Sequence, residues 1–284
     1  MIWRCREHSF DLTSRTLLMG IVNVTPDSFS DGGKYLEASA GVARGLALLA
    51  EGADVLDLGG ESTRPGSAQV AADEQWRRLG PVFEGLRRAA PAACLSVDTA
   101  SAGVAGRALA AGCHVVNDIT ALGDPAMAGV VAAAGAGLVL MHMQGNPAIM
   151  QQAPRYDDVV REVGAYLGER RAVARSAGIA DEAIAFDPGV GFGKSLAHSH
   201  GLLANLGRLA AAGRPVLVGV SRKSFISRTL GDLPVDQRLE GGLAATAVAV
   251  MAGARIVRTH DVTATLRAVR MTDALRAARA DRAD

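Results

Sequence analysis

One pattern recurs eight times along this 284-residue chain. A short aliphatic run breaks into a cluster of polar residues and glycines, and a longer stretch with apolar residues at helical spacing follows. The runs occupy residues 16–24, 54–60, 94–99, 114–119, 137–142, 184–189, 215–220 and 255–260. Nearly continuous apolar runs of this length are the signature of parallel strands covered on both faces. Between them Val42, Leu46 and Leu49 recur with Arg44 and Glu51 turned away, and Val160, Val163 and Leu167 recur between Arg161 and Arg170. Each set is one face of a helix. Gly52, Gly112, Gly178, Gly213 and Gly253 stand just before the next strand, where helices stop. Eight βα units without a linker or a composition break predict a (β/α)8 TIM barrel, which takes about 250 residues as one domain. The expected organisation is a short N-terminal extension over residues 1–15 and a barrel domain over 16–284, with a doubly wound open sheet as the alternative.

A barrel of this kind places its active site at the carboxyl ends of the strands. In order, those ends read NVTPD, GGESTRPG, SVDT, VNDI, LMHMQGNP, DPGVGFGKS, GVSRKS and RTHDV. A single Asp or Thr after a strand is an ordinary helix cap. Eight polar ends together, with Asp, Arg and Lys at positions that would otherwise face a dry core, exceed what capping requires. The first is the richest: after the apolar run from Leu17 to Val24 come Thr25, Asp27, Ser28, Ser30 and Asp31, with Pro26 stiffening the start and Gly32-Gly33 freeing the end.

Composition narrows the function classes. A formal net charge of +1 gives no reason to expect nucleic acid or an anionic membrane as partner. Three cysteines, Cys5, Cys94 and Cys113, are far apart and contain no CxxC pair, so neither a disulfide framework nor a zinc site is indicated. Charges at Arg4, Arg6 and Glu7 occupy the place where a signal peptide carries its apolar region. The longest apolar run, 126–141, falls short of the roughly 20 residues that span a bilayer. The expectation is a soluble cytoplasmic protein acting on small molecules.

Two constellations carry the chemistry. Asp98, Asn117, Asp187 and Lys223 follow the third, fourth, sixth and seventh strands and would converge on one cavity. Carboxylates and an amide accept from ring N–H and amino donors, while an ammonium gives a proton to a ring carbonyl or nitrogen, a set suited to a heterocycle with a donor edge and an acceptor edge. The structural alternative is an ion pair, for instance Lys223 with Asp187. Asn23, Thr63, Arg64, Arg258 and His260 follow the first, second and eighth strands, neighbours in a closed barrel, and make an anion site for phosphate or diphosphate. Asn23, with Asp27 as a second oxygen donor, suits Mg²⁺, which keeps waters and phosphate ligands. The segment from Asp187 to Ser195 imitates a phosphate-binding P-loop but has Pro188 where the first glycine must stand. Its alternating glycines imply a backbone held close to something flat or bulky. No spacing of His142, His198, His200 and His260 with cysteines suggests zinc.

These eight strand-end motifs together resemble the dihydropteroate synthase family of folate biosynthesis, over residues 16–277. The resemblance implies condensation of 6-hydroxymethyl-7,8-dihydropterin diphosphate with p-aminobenzoate, with release of pyrophosphate, on a barrel that is usually a homodimer. It implies that Asp98, Asn117, Asp187 and Lys223 hold the pterin above Met141. Asn23, Thr63, Arg64, Arg258 and His260 would hold the diphosphate and its magnesium, and Phe29, Pro65, Phe192, Lys223 and Ser224 the p-aminobenzoate. Asp98, Asp187, Lys223 and Arg258 would be the catalytic groups, acting by positioning and charge stabilisation without a protein nucleophile. Ser199, Ser227 and Thr259 depart from the family pattern away from these positions. A pterin-binding methyltransferase domain and a silent pterin-binding homologue are the rival readings; the first has no use for STRPG or RTHDV.

Overall fold

The computed structural model describes residues 1–24, 34–61, 70–146 and 148–280. Two short strands, β1 (Ile2–Cys5) and β2 (His8–Asp11), pair antiparallel as a hairpin. Eight parallel strands follow: β3 (Leu17–Asn23), β4 (Val55–Gly59), β5 (Cys94–Asp98), β6 (Val115–Asp118), β7 (Gly137–Met141), β8 (Ile184–Asp187), β9 (Leu217–Gly219) and β10 (Ile256–Thr259). Their order is β8-β7-β6-β5-β4-β3-β10-β9, and the two ends meet at a single parallel bridge between Phe186 and Val216, which closes the barrel. The helices are α1 (Lys34–Glu51), α2 (Ala72–Ala89), α3 (Ala102–Ala110), α4 (Met127–Ala134), α5 (Val159–Ser176), α6 (Leu196–Ala204), α7 (Leu206–Ala210), α8 (Ser224–Leu230), α9 (Leu239–Met251) and α10 (Val262–Ala280). Among the described residues no helix is long and apolar enough to cross a membrane.

Strand alternation divides the aliphatic residues into two cores. Outward-facing Leu18, Leu56, Leu95, Val116, Leu138, Ile184, Val218 and Val257 pack under the helices against Leu48, Leu79, Leu86, Val163 and Leu202. Inward-facing Leu17, Met19, Val55, Cys94, Val115, Val139, Ala185, Leu217 and Ile256 form the second core, together with Trp3, Cys5 and Leu12 from the first twelve residues. The hairpin therefore floors the barrel. Its alternation of exposed and buried residues turns Trp3 and Cys5 inward, Trp3 Nε1 donates to the Ala183 carbonyl at 3.0 Å, and Arg6 Nη1 donates to the carbonyls of Leu109 and Cys113 at 3.0 and 2.8 Å.

Candidate active site

Above the apolar floor the same inward positions turn polar. Asp57 follows Val55 on β4, Ser96 and Asp98 follow Cys94 on β5, Asn117 follows Val115 on β6, Asp187 follows Ala185 on β8, and Arg258 follows Ile256 on β10. In the strand register Asp98 faces Gly59 on one side and Asn117 on the other, while Met141 is paired with Asp187.

Arg258 and Asp57 tie this layer together. Arg258 Nε donates to Asp57 Oδ2 at 2.6 Å and its Nη2 to Asp98 Oδ2 at 2.7 Å. Asp57 also accepts from Asn117 Nδ2 at 3.0 Å and, through Oδ1, from Ser96 Oγ at 2.6 Å. Removing these charges from water is costly, and only such full hydrogen bonding offsets the cost. Burial works against the Arg258 charge, but Asp57 and Asp98 outweigh it and hold the guanidinium protonated above its usual value. Asp98 is less well compensated. Burial pushes its carboxyl up to about 7, with Arg258 pulling the other way, and its buried Oδ1 has no hydrogen-bond partner among the described residues. An unpartnered carboxylate oxygen is a place for a donor from a bound ligand.

On the other side of the chamber, burial raises the Asp187 carboxyl while Lys223 opposes the rise, and Asp187 Oδ1 accepts from the Gly189 N–H at 2.7 Å. Lys223 Nζ donates to the Val190 carbonyl at 2.5 Å and lies 4.6 Å from the centre of the Phe192 ring. Burial brings this ammonium down to about 8, with Asp187 pulling it up. Among the described residues its short contacts are thus with Val190 and Phe192 rather than an ion pair with Asp187. The backbone that passes closest to the glycines of this segment is the neighbouring loop. A Cβ on Gly189 would lie 2.0 Å from the His142 carbonyl, and one on Gly193 2.5 Å from that of Gln144. Lys194, the residue that imitates a P-loop lysine, is only 2% exposed and donates to His142 Nδ1 at 3.0 Å.

The anion group divides between two places. Arg258 stands in the chamber wall, whereas Asn23 and His260 line an adjoining cleft of about 680 Å³ with Arg44, Arg222 and Asp261. There His260 Nδ1 is 3.1 Å from Ser221 Oγ, and its carbonyl accepts from Arg44 Nη2 at 2.7 Å. Asn23 Oδ1 and Asp98 Oδ2 flank Gly59, 3.9 and 3.8 Å from where its Cβ would stand. Ser224 is exposed as the first residue of α8. Phe29, Thr63, Arg64 and Pro65, with Asp27, lie outside the described residues.

Asp57 does not stand out among the strand-end motifs, because it lies inside the run VLDLGG. The signal was present, since a lone carboxylate in an inward-facing strand position needs a partner. A second group with metal-binding side chains, His8, Cys94 and His114, meets at the floor. There His114 Nδ1 accepts from the Leu95 N–H at 2.9 Å, so in the neutral ring Nε2 carries the proton and faces Glu7 Oε1 at 2.9 Å. Neither nitrogen offers a free lone pair to a metal.

Residues 19–260 match the family described as pterin binding enzyme. The dihydropteroate synthase of Escherichia coli K12 is 45% identical over 266 residues, 94% of this chain and 93% of that protein. Among solved structures, Xanthomonas albilineans dihydropteroate synthase with 4-aminobenzoic acid superposes with a TM-score of 0.90 at 46% identity, covering 97% of this chain and 98% of that one. The same organism's enzyme in complex with 7,8-dihydropteroate gives 0.87 at 43% identity, covering 98% and 99%.

Proposed function

The chain belongs to the dihydropteroate synthase family of pterin-binding enzymes, and on that premise we propose how its residues divide the work. The enzyme condenses 6-hydroxymethyl-7,8-dihydropterin diphosphate with p-aminobenzoate to give 7,8-dihydropteroate and pyrophosphate. In this reading the inner chamber takes the pterin, with Asp98, Asn117 and Asp187 accepting from its donor edge, Lys223 donating to its acceptor edge and Met141 beneath the ring. One observation carries the assignment: two buried carboxyl groups from strands three apart lie in one inward-facing layer within electrostatic reach of Lys223, and one of them has an oxygen with no partner among the described residues. The cleft beside it takes the diphosphate through His260 and Asn23, joined by Thr63 and Arg64. Arg258, held by Asp57 and Asp98 through Nε and Nη2, is proposed to reach the diphosphate with the rest of its guanidinium. Phe192, Lys223 and Ser224, with Phe29 and Pro65, form the arylamine pocket.

The reaction breaks the bond from the methylene carbon to the diphosphate oxygen and forms one to the arylamine nitrogen, which then loses a proton. Asp98 and Asp187 favour the cationic character that develops on the pterin, and Lys223 and Arg258 orient it. Asn23 is the proposed Mg²⁺ ligand, because an amide oxygen on a cleft wall is a hard donor that leaves room for water and phosphate oxygens. When bound, that ion supplies neutralising charge to the leaving group. A homodimer is also proposed, with Val248, Met271 and Leu275, all more than half exposed on the adjoining α9 and α10, as its apolar face; light scattering measures it.

Purified protein should release pyrophosphate only when both substrates are present, and a chelator should abolish turnover. Asp187→Asn should weaken pterin binding roughly tenfold or more with little change in Tm, since a charge-assisted hydrogen bond contributes about 1.5–3 kcal/mol. Folded protein that binds the pterin but forms no dihydropteroate with any divalent metal would overturn the reading.

A further inference from the structure

The loop after β8 is held in an unusual way: four successive carbonyls each accept from a different side chain. Val190 O accepts from Lys223 Nζ at 2.5 Å, Gly191 O from Gln151 Nε2 at 2.7 Å, Phe192 O from Lys194 Nζ at 2.9 Å, and Gly193 O from Tyr156 Oη at 2.8 Å. A backbone with no strand or helix partner must satisfy its polar groups otherwise, and here the donors come from the loops after β7 and β9 and from the loop itself. Lys194 is the central member. It is almost wholly buried, and its Nζ reaches three acceptors: the Phe192 carbonyl, His142 Nδ1 at 3.0 Å and the His142 carbonyl at 3.2 Å. In its charged form the ammonium has three protons, one for each acceptor. His142 is itself held edge-on to Tyr166, ring centres 4.9 Å apart. Burial lowers both members of this pair, Lys194 to about 7 and His142 to about 3, which leaves the imidazole as a neutral acceptor.

We propose that Lys194 is a positioning residue for the arylamine: by joining the Phe192 carbonyl to the His142 backbone across the close approach at Gly189 and Gly193, it fixes the Phe192 ring against Lys223. The proposal rests on the reading that Phe192 walls the arylamine pocket. Among the described residues Lys194 hydrogen-bonds only to Phe192 and His142, and at longer range it and Asp187 each favour the other's charged form; a charge effect through Asp187 would move the pterin KM, whereas the positioning role moves the arylamine KM. Removal of Lys194 leaves three acceptors without a donor next to the pocket, while the Asp57, Asp98, Asn117 and Arg258 network keeps every bond described above.

The test is steady-state kinetics with both substrates varied. Lys194→Met keeps most of the volume and removes the three bonds. It should raise the KM for p-aminobenzoate roughly tenfold while the KM for the pterin diphosphate changes by less than about twofold, the split expected when one binding surface is disturbed. Tyr156→Phe and Gln151→Leu, at less buried positions, should shift the same parameter in the same direction by smaller factors, and they carry the test if Lys194→Met does not fold. Phe192→Ala is the control for the pocket. If it raises the arylamine KM and none of the three loop variants does, the positioning role is wrong. Equal increases in both KM values alongside a lowered Tm would show a general structural role and overturn it too. If Phe192→Ala itself leaves the arylamine KM unchanged, the pocket reading fails and takes the proposal with it.

Discussion

Two steps along the strand lead from Cys94 in the barrel's apolar floor to Ser96, and two more reach Asp98; Val55 gives way to Asp57 and Ile256 to Arg258 in the same way. The floor and the chamber above it are thus built by the same inward-facing rows and follow different energetics. At the floor, Trp3, Leu17, Met19 and Val139 contribute by filling volume, and the loss on truncation scales with the atoms removed. In the chamber, Asp57 holds Arg258, Asn117 and Ser96 at once, and the loss on truncation is set by the charge left without a partner. A fold can therefore keep a dry core and a charged one in adjacent layers provided each charge in the second is accounted for.

The largest effect should come from breaking that accounting. Asp57→Ala leaves Arg258 with one carboxylate instead of two and should cost about 3–5 kcal/mol, seen in chemical denaturation. The triple variant Asp57→Leu, Arg258→Met and Asp98→Leu, which leaves none of the three charges behind, should recover much of the stability while remaining inactive. If Asp57→Ala unfolds at the wild-type midpoint, the chamber does not depend on charge pairing in the way described.

Next is a dependence on pH. The folded pKa of Asp98 is raised, to about 7, so between the ordinary carboxylate range and that value the folded chain binds more protons than the unfolded one. Its contribution is therefore fully present below about pH 4 and is lost as pH rises towards 7, on the order of a few kcal/mol across the window. Asp98→Asn should flatten this slope; thermal melts from pH 4 to 8 that stay parallel for the two proteins would refute it.

At the floor the expected effects are smaller and should leave chemistry alone. Trp3→Phe gives up the hydrogen bond to Ala183 and part of the ring, about 1–2 kcal/mol, with kcat unchanged. A lowered kcat would show that floor and chamber are coupled. Glu7→Gln should change stability by at most about 1 kcal/mol, because Glu7 is largely exposed where it meets His114; a larger loss in urea titration would mean that the floor also depends on a charge.

Much of this was legible in the sequence because a barrel writes itself in period: apolar runs for strands, glycines before them and polar clusters after. Asp98, Asn117, Asp187 and Arg258 stood out as charges or amides at the ends of those runs. What stayed hidden was pairing. Nothing local says that Arg258 will reach Asp57, 201 residues away, or that Lys194 turns inward to His142 rather than out to a phosphate. In the first fifteen residues Trp3 and Cys5 alternate with Arg4 and Arg6, a strand's period two, within what the sequence presents as a short extension. Four residues are too few for that signal to stand out until the hairpin's partner, the barrel floor, is known.

Seven of the eight strand junctions are ladders, and the eighth, between β8 and β9, is the bridge from Phe186 to Val216 with the Phe186 N–H donating to the Pro215 carbonyl at 2.8 Å. A ring fastened by one clasp comes undone there first. The clasp lies between the strand that carries Asp187 and the strand that leads to Lys223, so a pterin held by both residues would bolt it shut. Hydrogen exchange should register this directly: amides of Phe186 and Leu217, which face each other's strand at the bridge, should exchange sooner than those of Leu56 and Leu58 in the free protein, and should slow the most when the pterin is bound.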